Sequence, residues 1–107
     1  MCYTLKAEDI LLNYFAEHED AKKISFQELG EISCRIVKKC NHSILSSITL
    51  EEIRNAAHRR SQFIKVEEAS VILIDGSFKK FIGIYNSSMP ERVKTQCIEI
   101  CKGYVSK

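Results

Sequence analysis

Leu5, Ile10, Leu11, Tyr14 and Phe15 recur at helical spacing, which predicts a first helix over about residues 6–17. A polar break, "EHEDAKK", ends it. The next segment, "ISFQELGEISCRIVKKC", opens on Ser25 with Glu28 three residues later, the reciprocal pattern of a capping box. Ile24 before the cap and Leu29 after it stand where a hydrophobic staple forms. Leu29, Ile32 or Ser33, Ile36 and Cys40 then share a face, so a second helix extends to about residue 39. After the loop "NHSILSS" the same signals return in "SITLEEIRNAAHRRSQF": Thr49 with Glu52, and Ile48 with Ile53. On this third helix Leu50, Ile53, Ala57 and Ile64 form the apolar stripe, and small Ala56 and Ala57 let a neighbouring helix come close.

The period changes at Phe63. "FIKVEEASVILID" and "FKKFIGIYN" are rich in β-branched and aromatic residues and flank Asp75-Gly76, which predicts a β-hairpin turning there, whether tightly or as a looser "DGSFKK" loop. Gly83 marks a bulge in its second strand, and "KIS" before the second helix is placed to add a third strand. So apolar a strand as "FIGIY" needs covering, and the last helix is expected to cover it. Ser88, Pro90 and Glu91 start that helix, over about 89–105, with Val93, Cys97, Ile100 or Cys101, and Tyr104 on one face. Gly30, inside the second helix, is expected either to allow close helix packing or to weaken the helix.

This order, three helices followed by a hairpin and a terminal helix, resembles that of winged-helix domains. The resemblance covers about residues 6–86 and implies an α+β fold in one domain over 1–107. The second helix is longer than is usual in that family.

The resemblance gives the third helix a role. Opposite its apolar stripe lie Asn55, Arg59 and Gln62, with Arg54 and His58 beside them. Arg reads guanine edges and Asn or Gln adenine edges in the major groove, so these five are the candidate base-reading set. Lys79 and Lys80, near the expected hairpin tip, are the candidate phosphate contacts of a wing, and Lys22, Lys23, Lys38 and Lys39 are further cations. The opposing reading is a solvated helix face: Glu51 and Glu52 in the first turn and cations in the last are what the helix dipole alone favours. Winged helices also join proteins, and an interaction module acting through the hairpin (Phe78, Tyr85) or the last helix, as a homodimer or in a larger complex, is the alternative function.

Sixteen basic and fourteen acidic residues leave a net charge of +2 and a pI near 8.3, below the value of about 9 often seen in dedicated nucleic-acid binders. A hydrophobic fraction of 45% suits a single core. No apolar run approaches a membrane span, and acids interrupt the N-terminal segment, so an intracellular protein of cytoplasm or nucleus is expected. Five cysteines, an odd number at spacings foreign to disulfide frameworks, are expected as free thiols. Cys97 and Cys101 alternate with apolar residues as core side chains do, and Cys34 and Cys40 miss zinc-pair spacing. His18, His42 and His58 are scattered, and no glycine-rich phosphate loop is present. The sequence therefore predicts no enzyme, no cofactor and no metal.

Overall fold

Helix α1 (Ala7–Glu17) is buried from residue 7 to residue 15 without a break. An amphipathic surface helix would show a polar stripe to water; this one is enclosed on all sides. The computed structural model describes residues 4–18, 20–39, 44–45, 49–80 and 82–105, and four further helices pack around α1: α2 (Phe26–Lys39), α3 (Leu50–Arg59), α4 (Ile82–Asn86) and α5 (Glu91–Gly103). Beside them lies a three-stranded antiparallel sheet in the order β2-β5-β4, numbered with β1 (Thr4–Leu5), β2 (Lys23–Ser25), β3 (Ile44–Leu45), β4 (Ile64–Glu67) and β5 (Ser70–Leu73). Strands β1 and β3 form a separate short parallel pair. The class is α+β.

Local signals place the helices. Ser25 N donates to Glu28 Oε1 and Glu28 N to Ser25 Oγ, both at 3.1 Å, closing the capping box of α2. Ile24 and Leu29 are buried where a staple requires them. At α3, Thr49 Oγ1 accepts from Glu52 N at 3.1 Å. Ile48 and Cys40 fall outside the described residues. "KIS" does add a strand: Ile24 lies opposite Val71, which lies opposite Val66, and the three make the inward row of the sheet.

Between residues 59 and 86 the chain departs from the expected plan. Helix α3 stops at Arg59; Phe63 N and Ile64 N both donate to Arg60 O (2.8 and 2.9 Å), turning the chain into β4. Ile64 is therefore a buried strand residue, and Leu50 is 44% exposed, so the apolar stripe of α3 is Ile53, Ala56 and Ala57. The hairpin is β4–β5, turning at Glu68 and Ala69 with Glu68 in the left-handed region at φ 55°. Asp75-Gly76 does not turn it. Asp75 Oδ1 accepts from Ser77 N at 2.9 Å and so starts a 3-10 turn, Gly76–Lys80. That turn drives Phe78 fully into the core against Phe63, ring centroids 5.8 Å apart, so Phe78 is no surface residue. The expected second strand is instead α4; Gly83 lies in that helix and marks no bulge, and Phe81 falls outside the described residues.

Helix α5 packs on α1 and α2, not over the hairpin, and buries Val93, Cys97, Ile100 and Cys101. Tyr14 stacks on His18 and meets Tyr104 edge-on, and His18 Nε2 donates to the Cys101 carbonyl at 2.6 Å, capping the last turn of α5. The Tyr104 hydroxyl donates to Glu31 Oε2 at 2.6 Å beneath Arg35; burial first, then this hydrogen bond, push its pKa up. A methyl group at Gly30 would meet nothing within 4 Å, so no helix packs closely there.

Candidate nucleic-acid interface

One face of α3 is buried against α1 through Ile53, Ala56 and Ala57. The outer face therefore carries Glu51, Arg54, Asn55 and His58, all exposed, at i, i+3, i+4 and i+7. Among the described residues, the side chains of Arg54, Asn55 and His58 have no hydrogen-bond or ion-pair partner. Three of the five expected reading residues thus lie together and available. Gln62 is exposed but sits in the turn after the helix, off this stripe. Arg59 faces differently: its Nη2 stands 3.5 Å from Glu8 Oε1.

The cations expected at the hairpin tip stand elsewhere. Lys79 and Lys80 belong to the 3-10 turn, away from the hairpin's own turn. The tip that does exist presents exposed Glu67, Glu68 and Ala69, and Lys65 Nζ is drawn to Glu67 at 3.3 Å. Acidic side chains there repel phosphate. Of the other cations, Lys39 pairs with Glu99 at 3.5 Å, while Lys22, Lys23 and Lys38 are exposed.

What lies behind α3 has no signature along the chain. The side of α1 that faces α3 and α4 carries Glu8, Asp9 and Asn13, each buried. Glu8 Oε2 is 3.0 Å from Arg60 Nε, a contact of charge in which Oε2 accepts no hydrogen bond. The Arg60 guanidinium also lies over the Tyr85 ring, 5.5 Å from its centroid, and the Tyr85 hydroxyl donates to Asp9 Oδ1 at 2.7 Å. Asp9 Oδ2 accepts from Lys6 N at 2.9 Å. Asn13 and Asn86 exchange amide hydrogen bonds of 3.2 and 2.9 Å, and Asn13 Nδ2 also donates to Asp9 O. Polar groups thus tie α4 to α1, beside the packing of Ile82 and Tyr85 against the core. Between the start of α1 and α3 opens a cavity of about 300 Å³ lined by Lys6, Ala7, Glu8, Glu52, Asn55 and Arg59.

Cys97 and Cys101 are buried free thiols and Cys34 is exposed. The Cys97 thiol beside it, then burial, raise the Cys101 pKa and hold it in the unreactive thiol form. Among the described residues, no group of three or more His, Cys, Asp or Glu is placed to hold a metal ion, and no helix is long and apolar enough to cross a membrane. Comparison with family models, with curated proteins and with solved structures finds no match to this chain.

Proposed function

We propose that this chain is an intracellular winged-helix module that binds duplex DNA through the outer face of α3. Three helices followed by an antiparallel hairpin, with the short strand before α2 completing the sheet, support the fold assignment. The observation that carries the function is the exposed set of Arg54, Asn55 and His58 side chains, without polar partners among the described residues, on a helix whose back is buried. A helix fits the major groove, where Arg pairs with guanine O6 and N7 and Asn with adenine N6 and N7. The hairpin takes no part, because its tip is acidic. Binding then depends on α3 and a few phosphate contacts.

Fluorescence anisotropy with a mixed-sequence duplex across a salt series tests this. Affinity should fall as salt rises, because phosphate contacts release counterions. On a selected site, Arg54→Ala should weaken binding about tenfold or more, the cost of one good base contact. Absence of binding at low salt defeats the reading.

The acidic hairpin tip favours a second reading, a protein-interaction module. Ile84, 77% exposed on α4, is its natural probe, replacing the buried Phe78. A concentration-dependent mass, or a co-purifying protein lost in Ile84→Asp, would support it; a strict monomer with neither counts against it.

A further inference from the structure

Three basic residues in a row, His58, Arg59 and Arg60, end α3, and one carboxylate, Glu8, meets two of them. The two contacts are unequal. Arg60 Nε stands 3.0 Å from Glu8 and its side chain is 29% exposed; Arg59 Nη2 stands 3.5 Å away on a side chain 51% exposed. The Glu8 side chain is only 5% exposed, so it requires a counter-charge, and the nearer, better shielded Arg60 supplies it. Arg60 is fixed a second time by the Tyr85 ring, itself tethered to Asp9. Arg59 carries a charge that no buried group needs, and a half-exposed contact at 3.5 Å contributes little in water. The cavity between α1 and α3 opens beside it and leaves the guanidinium room to turn.

Resting on the DNA-binding reading above, we propose that Glu8 divides these two arginines between two tasks. Arg60 is the structural counter-ion that locks the end of α3 to α1. Arg59 leaves Glu8 for a DNA phosphate, and is a backbone contact, not a base reader. Glu8, Arg59 and Arg60 sum to one positive charge, so a net cation stands at the edge of the face even with Glu8 ionised. Phosphate contacts carry no sequence information, which gives Arg59 a signature different from that of Arg54.

The full chain, its Arg59→Ala variant and its Arg60→Gln variant are titrated with mixed-sequence duplex DNA between 50 and 200 mM salt, and with several single-base variants of a selected site. One phosphate contact contributes a log–log slope of about 0.9, so Arg59→Ala should lose about threefold less affinity over that salt range than the parent. It should weaken binding equally on every sequence and leave the thermal midpoint unchanged. Arg60→Gln should lower the thermal midpoint and, at a temperature where it is folded, keep the parent's salt slope. An unaltered slope in Arg59→Ala overturns the proposal, as does a changed base preference in that variant or a reduced slope in Arg60→Gln. Arg59 is half exposed, so its variant folds and decides the matter even should Arg60→Gln not fold. A parent chain that binds no duplex removes the DNA reading and this division with it; a parent that binds, with an Arg59→Ala slope like its own, removes the division alone.

Discussion

The two sides of α1 are held by different chemistry. Toward α5 the contacts are mostly aromatic and apolar, with Tyr14 against Tyr104, Cys97 and Cys101 buried, and one hydrogen bond from His18 to the Cys101 carbonyl. Toward α3 and α4 the apolar face of α3 is joined by an ion pair, a phenol–carboxylate hydrogen bond and a reciprocal amide pair. Apolar packing stabilises in proportion to area and tolerates small shifts, whereas a buried polar contact depends on one particular partner at one geometry. The first kind of contact supports the fold. The second pins α4 and the end of α3 to α1 through particular partners, while Ile53, Ala56 and Ala57 set which side of α3 is buried.

The largest expected loss tests the apolar packing of α1. Phe15, fully buried in α1, should cost about 3–5 kcal/mol on replacement by alanine, read from urea unfolding. A cost under about 1 kcal/mol would show that apolar packing around α1 does not carry the fold. Glu8→Gln comes next. It leaves Arg60 without its carboxylate, and because Arg60 reaches solvent the loss should be about 2 kcal/mol, below that for a fully buried pair. A loss equal to that of Phe15→Ala would erase the distinction between the two kinds of contact. Asn86→Ala should cost about 1–2 kcal/mol, since Asn13 keeps a buried amide with fewer partners. Hydrogen exchange should locate that loss in α4 and not in α5; uniform loss of protection would mean that α4 and the core open together. The smallest change sharpens the contrast from outside it. Gly30→Ala on α2, where a methyl group meets nothing, should raise stability by about 0.5–1 kcal/mol and leave both sides of α1 unaltered.

Much of this architecture is legible along the chain. Ser25 with Glu28, and Thr49 with Glu52, announce helix starts because a capping interaction reaches only three residues. The strand at "KIS", the helix from Glu91 and the buried cysteines follow from pattern for the same local reason. Of the candidate interface, Arg54, Asn55 and His58 were legible as the outer face of a helix. Asp75-Gly76 misled because an aspartate that suits a hairpin turn equally well bonds the backbone two residues on and starts a helical turn. Pulling Phe78 into the core against Phe63 decided between the two.

By itself, the sequence determined where α1, α2, α3 and α5 begin and that the class is α+β, since these depend on neighbours within a turn or two. Only the tertiary structure decided that Glu8 meets Arg59 and Arg60, that Tyr85 reaches Asp9 and that the hairpin tip is acidic. Those outcomes depend on which distant groups must share a buried space. A buried charge requires a partner, but no local pattern names the one that the fold will bring to it.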